Sequence, residues 1–261
     1  MQGPAQAISK VRTSYLICCL PRTGSWLLSE MLQSTGIAGR PREYLAPERR
    51  KSLERELGIS PTAGWEAYMA KAFQKATTPN GVLGIKVHWY QFERFLGDFG
   101  KSPWCNAQDP ARSVQSLFPH LRYIHLVRAD RVRHAVSYAR AAETKLWWQI
   151  DPQRAAAPCV LARTPTFDRA RLDRFYQLIT RHASNWQQYF NQNNITPFRI
   201  RYEELIANPE GTLKSIFDYL QVNFPAGALL PLPRLKKQAD DLSEEWVSLY
   251  RRAREAGEAS A

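Results

Sequence analysis

Nothing in the sequence reads as a membrane anchor. No apolar run approaches the roughly 20 residues that a spanning helix needs. The stretch before residue 14 lacks the basic start, apolar segment and small-residue cleavage site of a secretory leader. Cysteine is scarce, with four residues, Cys18, Cys19, Cys105 and Cys159, in no metal-binding spacing. They are expected to be reduced small hydrophobes of a cytoplasmic protein. No repeat or low-complexity linker divides the chain, so a single domain is expected over 14–254, with 1–13 as a flexible lead-in and 255–261 as a flexible tail. Acidic residues are the minority, 24 against 36 Lys and Arg in 261 residues, giving a net charge of +12. That excess favours an anionic partner such as nucleic acid, an anionic membrane face or a phosphorylated cofactor. A basic surface with no such partner has the same charge.

What the chain does contain is organised around Ser14 to Met31. An apolar run, Tyr15 to Leu20, stops at Pro21, and Arg22, Thr23, Gly24 and Ser25 follow. Leu27, Leu28, Met31 and Leu32 then recur at helical spacing. The pattern predicts a buried strand, a tight polar turn and an amphipathic helix. A helix N-terminus presents unpaired N–H groups and the positive end of its dipole, so the turn is an anion site by construction. It is not a Walker A loop, because the basic residue precedes the glycine and no Lys-Ser or Lys-Thr pair follows it. Cys18 and Cys19, adjacent in the strand, should face opposite sides.

Further strands are expected at Gly81–His88, Arg122–Val127 and Ile195–Ile200. Helices are expected after Arg128, over 174–190, after Asn208 with Pro209 in its first turn, and around Trp246. Residues 46–80 read as an inserted helical layer, 98–110 as a loop and 150–166 as a surface excursion. Apolar strands alternating with helices predict a three-layer α/β domain with a mainly parallel central sheet and helical insertions. In such a sheet, ligands gather beyond the C-terminal strand ends. Those ends carry Arg22 to Ser25, Lys86 to His88, Arg128, and Arg201 to Glu204. Basic residues placed directly after buried runs fit a surface that handles phosphate or sulfate.

The residues at these ends bring a family into view. Pro21-Arg22-Thr23-Gly24-Ser25-Trp26-Leu27 resembles the 5′-phosphosulfate loop of sulfotransferases that use 3′-phosphoadenosine 5′-phosphosulfate (PAPS). Arg128 and the helix up to Ser137 are similar to their 3′-phosphate motif. Thr35-Gly36-Ile37-Ala38-Gly39 with Pro41-Arg42-Glu43, Gly84 to Trp89, His134 to Ser137, and Lys237 to Asp240 with Glu245-Trp246-Val247 resemble the bacterial carbohydrate sulfotransferases typified by mycobacterial trehalose 2-sulfotransferase. The resemblance spans roughly 14–254. It implies a P-loop-like fold, a homodimer, PAPS as donor with 3′-phosphoadenosine 5′-phosphate (PAP) as product, and no metal. Arg22, Thr23, Gly24, Ser25, Trp26, Arg128, Ser137 and Lys237 fall on the donor side. Glu43 falls on the proposed general base.

Lys86 and His88 are expected as helpers near the sulfuryl group or acceptor, in chemistry or positioning, and Arg40, His88, Trp89, Trp147 and Trp148 are candidates for the acceptor side. Arg40, Trp147-Trp148 and Lys237 depart from the trehalose enzyme's local pattern, so the acceptor stays open between a free sugar, a glycolipid and a small hydroxylated metabolite. A lipid-linked acceptor implies peripheral membrane contact. Two structural alternatives remain, an ion pair of Glu43 with Arg40 or Arg42, and core packing for at least one of the tryptophans. The rival functions are a P-loop kinase-like phosphotransferase, which lacks its Lys-Ser/Thr pair here, and a polyanion-binding protein. Nucleic acid is not expected as a partner, because the basic residues are dispersed and no helix carries a recognition pattern.

Overall fold

The computed structural model describes residues 9–60, 62–101, 110–147, 165–224 and 240–258, and every absence stated below refers to those residues. Trp148, Lys237, Cys105 and Cys159, with nearly all of the expected excursion at 150–166, lie outside them. Four strands, β1 (Thr13–Cys19), β2 (Val82–His88), β3 (Leu121–Val127) and β4 (Phe198–Arg201), form one sheet in the order β2-β1-β3-β4. Every ladder is parallel, pairing Cys19 with His88, Ser14 with Leu121 and Val127 with Arg201. All four C-terminal ends therefore open on one edge.

The helices are α1 (Ser25–Ser34), α2 (Arg50–Glu56), α3 (Trp65–Ala76), α4 (Trp89–Phe99), α5 (Pro110–Leu117), α6 (Arg131–Thr144), α7 (Arg169–Gln192), α8 (Tyr202–Ala207), α9 (Pro209–Leu220) and α10 (Asp241–Glu258). A short 3-10 turn, Pro47–Arg49, leads into α2. Both faces of the sheet are covered, which is why β1 and β2 read as largely apolar runs. Tyr15, Ile17 and Cys19 pack with Leu28 and Leu32 of α1 and Leu213 and Phe217 of α9. Leu16 and Cys18 pack on the other side with Phe73 of α3, Phe92 of α4 and Trp186 of α7. The two cysteines do face opposite ways. A satellite core of Val136, Leu172, Trp246 and Tyr250 joins α6, α7 and α10.

Three boundaries differ from the sequence expectation. β4 begins at Phe198 rather than Ile195, because Pro197 has no N–H to give a ladder and Ile195 packs into the core beneath α7 instead. The expected loop at 98–110 overlaps two helices, α4 through Phe99 and α5 from Pro110. α10 continues to Glu258, past the start of the expected tail.

Gly84 shows how tightly β2 is packed. A Cβ there would meet the Tyr15 hydroxyl and lie 2.6 Å from Tyr15 Cζ. Tyr15 cannot turn aside without breaking its 2.6 Å hydrogen bond to the Ala38 carbonyl. Gly84→Ala is expected to lower stability by about 1–3 kcal/mol, the usual cost of overpacking a core. A urea unfolding midpoint equal to wild type would contradict this.

Candidate active site

The turn after β1 is held in a conformation that ordinary residues avoid. Arg22 has φ of 69° and Gly24 has φ of 80°, both left-handed. At Gly24 the requirement is also steric, since a Cβ would stand 2.6 Å from Cδ2 of Tyr202. Thr23 is buried and donates its hydroxyl to the Leu20 carbonyl at 2.8 Å, closing the turn from inside. Its hydroxyl hydrogen is thus committed to the fold, in contrast to the expectation that it would serve a ligand. His134 of α6 clamps the same turn by donating Nε2–H to the Pro21 carbonyl at 2.7 Å. Burial keeps that imidazole neutral, lowering its pKa to about 3. No side chain caps the N-terminus of α1, so its partial positive charge remains in the turn.

Two guanidinium groups meet there. Arg22 donates Nε to Ser137 Oγ at 3.0 Å and Nη1 to the Trp147 carbonyl. Arg128 reaches the Arg22 carbonyl at 3.4 Å and lies 4.8 Å over the Tyr202 ring. Its Nε is buried and has no hydrogen-bond partner among the described residues. Burial, then the charge of Arg128, pushes the Arg22 pKa down to about 10, and burial lowers that of Arg128. Two half-desolvated cations and an uncapped helix end make an arrangement suited to binding an anion with phosphate-like groups.

A carboxylate cluster adjoins the turn. Residues 41–43 run beside β2, with Arg42 bridged to Ile85 and the Lys86 N–H donating to the Arg42 carbonyl at 3.1 Å. That register carries Glu43 to Lys86, whose Nζ is 2.8 Å from Glu43 Oε1, while His88 Nε2 is 3.6 Å from the same oxygen. Gln91 is fully buried, and its Oε1 accepts from the His88 N–H at 3.0 Å. The amide is therefore oriented, and its Nε2 must point at Glu43 Oε2, 3.0 Å away, and Glu48 Oε1, 2.8 Å away. Burial pushes the Glu43 carboxyl up, but the His88 hydrogen bond and the Lys86 and His88 charges outweigh it and hold the pKa well below the usual carboxylate range. Lys86 lies 4.7 Å over the ring of Trp26, the second residue of α1, so this cluster borders the anion-binding turn.

The model of the Stf0 sulphotransferase family matches residues 14–253, a span that includes both halves of this site. The chain belongs to that family. It is 28% identical over 274 residues to a trehalose 2-sulfotransferase of Mycolicibacterium smegmatis, covering 92% of this chain and 95% of that one. A trehalose 2-sulfotransferase of Mycobacterium tuberculosis is 27% identical over 274 residues, covering 94% and 96%. Among solved structures, sulfotransferase STF9 from Mycobacterium avium is similar at 11% identity with a TM-score of 0.46, covering 94% of this chain and 69% of that one.

In this chain the expected residues are not all brought together. Arg22, Gly24, Ser25, Trp26, Arg128 and Ser137 surround the turn, and Glu43, Lys86 and His88 form the cluster beside it. Neither neighbouring arginine pairs with Glu43, which removes the ion-pair alternative. Arg42 binds Glu56 at 2.5 and 3.1 Å. Arg40 donates to the Thr77 and Lys75 carbonyls at 2.8 and 3.3 Å, covering the C-terminal end of α3, so its charged group serves the fold. Trp89 is 9% exposed and sits edge-on to Trp186 at 5.0 Å within an aromatic cluster. It is core, and its expected place in an acceptor platform is corrected. Trp147 is 37% exposed beside Tyr138.

Two residues escaped the sequence reading: Gln91, which aims Glu43, and Cys19, which touches His88 at 3.4 Å; Tyr202, expected at the fourth strand end, lies beneath Arg128 and stands against Gly24. Only Gln91 left a signal, a glutamine three residues after the helix N-cap, as in a capping box. Among the described residues no group of His, Cys, Asp and Glu is arranged to hold a metal ion, and no helix is long and apolar enough to cross a membrane.

Proposed function

We propose that this protein transfers a sulfuryl group from PAPS to a hydroxyl of a carbohydrate, free or lipid-linked, or of a small hydroxylated metabolite. The observation that carries the reading is the convergence of Arg22 and Arg128 on an uncapped helix N-terminus, with the buried Arg128 Nε still lacking a partner. The donor, when bound, supplies an electrophilic sulfur and a phosphate leaving group. Arg22, Ser25 and the amides of the turn are placed to receive charge on the 5′ side, and Arg128 with Ser137 to hold the 3′-phosphate. Forked guanidinium donors match phosphate oxygens in pairs. Glu43 accepts the proton of the acceptor hydroxyl; Lys86 and His88 hold it ionised and in place, and the same cations temper its basicity. Lys86, lying between Glu43 and Trp26, connects the two halves of the site.

The two mycobacterial relatives, both named for sulfation of trehalose, support a carbohydrate acceptor. Arg40 and Trp147 depart from that enzyme's pattern, so the proposal stops at the class. A homodimer and a cytoplasmic location belong to the same reading, as does contact with a membrane surface where the acceptor is a lipid-linked sugar.

Calorimetric titration with PAP tests the donor site. Wild type is expected to bind one equivalent. Arg22→Ala and Arg128→Ala are each expected to weaken binding by about 30-fold or more, corresponding to the 2 kcal/mol or more that follows truncation of a buried charged contact. A folded wild-type protein that leaves PAP unbound would overturn the proposal.

A further inference from the structure

His88 ends β2 and opens α4, and both of its ring nitrogens face acceptors. Cys19 is its register partner across the parallel ladder, with Sγ 3.4 Å from Nδ1. The same sulfur is placed to donate its own S–H to the Val87 carbonyl at 3.5 Å, which leaves lone pairs for the imidazole. On the opposite side Glu43 Oε1 stands at ion-pair distance, 3.6 Å from Nε2, and an ionised carboxylate offers no hydrogen. A neutral imidazole can donate to one such neighbour and must turn a lone pair on the other, whereas an imidazolium donates to both.

We propose that His88 is held as an imidazolium between Cys19 and Glu43, with Cys19 as the positioning residue that fixes this state. Glu43 then serves two cations, Lys86 and His88. Only the consequence for catalysis rests on the sulfuryl-transfer reading: a histidine with both nitrogens protonated is not the base, which leaves that task to Glu43 and adds a positive charge beside the incoming anion.

The surroundings are consistent with this charge state. Burial by itself lowers the His88 pKa, but the hydrogen bond of the Cys19 thiol, followed by the hydrogen bond and charge of Glu43, raises it. Tyr90 from α4 stacks its ring at 6.1 Å. Glu48 is joined to the cluster through Gln91 and adds a further negative charge. Lys86 opposes a second cation, though it shares the carboxylate that stabilises both. His134 of α6 and His182 of α7 also feel the His88 charge, and burial favours their neutral forms. Because the His88 pKa is raised on folding, the stability it confers is complete below its ordinary value of about 6.5 and is lost as pH rises through the raised folded value.

Long-range proton–nitrogen correlation spectra of the full, nitrogen-15-labelled chain read this state without any ligand, with His88→Gln assigning the signal among the five histidines. Both His88 nitrogens are expected at protonated shifts at neutral pH. Cys19→Ala is expected to lower the titration midpoint by about one pH unit or more. Cys19→Ser, which retains an acceptor in nearly the same volume, is expected to keep most of the wild-type midpoint. A neutral His88 tautomer in the wild type at neutral pH overturns the inference, and so does a wild-type midpoint in folded Cys19→Ala. PAP titration of the same samples reports the donor site separately. PAP binding alongside a neutral His88 overturns this inference alone, whereas an imidazolium in a protein that does not bind PAP upholds it and removes the donor reading.

Discussion

Glu43→Gln is expected to slow sulfuryl transfer by about 100- to 10,000-fold, the range over which a positioned acid or base acts, while PAP affinity stays near wild type. The substitution preserves shape, and a glutamine oxygen can still accept from Gln91 Nε2 as Glu43 Oε2 does at 3.0 Å. What disappears is the negative charge facing Lys86 and His88 and the capacity to take a proton. The donor side should be insensitive, because Arg22, Arg128 and Ser137 make none of their hydrogen bonds to Glu43. The check is transfer from labelled PAPS, paired with calorimetry on PAP. Equal losses in transfer and in PAP affinity would mean that Glu43 supports the architecture rather than the proton transfer.

Lys86→Met carries the largest expected cost in stability, about 3–5 kcal/mol at neutral pH, because removing one partner of a buried ion pair leaves the other charge uncompensated. Lys86 is 2% exposed and its Nζ is 2.8 Å from Glu43 Oε1. Methionine fills the volume of the lysine stem but offers Glu43 no donor. His88 and Gln91 still contact the carboxylate, which sets the loss toward the lower end of that range. Adding Glu43→Gln to Lys86→Met is expected to restore most of the stability without restoring transfer. The pH dependence has a defined sign. Glu43 has a depressed pKa in the folded protein, so its contribution is complete above the ordinary carboxylate value of about 4.3 and fades as pH falls toward the folded value. The gap between wild type and Lys86→Met in urea unfolding should therefore narrow in acid, and a constant gap would show that the two groups are not coupled.

The strands of this fold were legible because a sheet covered on both faces needs largely apolar segments, and Tyr15 to Leu20, Val82 to Val87 around Lys86, and Tyr123 to Val127 around His125 stand out as such. The polar turn after β1 was legible because it is local: Arg22 to Ser25 are consecutive, and a strand passing into a helix fixes what they face. Glu43 is different. Its partners Lys86 and His88 are brought to it by the bridge between Arg42 and Ile85, a tertiary pairing with no trace in local pattern. The family resemblance pointed to Glu43, whereas spacing did not. Trp89 misled for a related reason. A tryptophan directly after a functional histidine suggests a platform, but the first turn of α4 rotates it toward Trp186 and Tyr189 in the core.

The strand order has a consequence for how the chain comes into being. β1 is central, flanked by β2 and β3, and none of the three ladders joins strands linked by a tight turn. Parallel partners always require a long crossover, and here Ser14 must await Leu121 before its second neighbour exists. The central strand of the sheet is thus the first of the four synthesised, and one of its edges stays open until β3 is made. Distant pairings of this kind slow folding and leave sticky strand edges exposed in the meantime. Recovery from denaturant should accordingly depend on protein concentration, with aggregation competing against closure of β3 on β1.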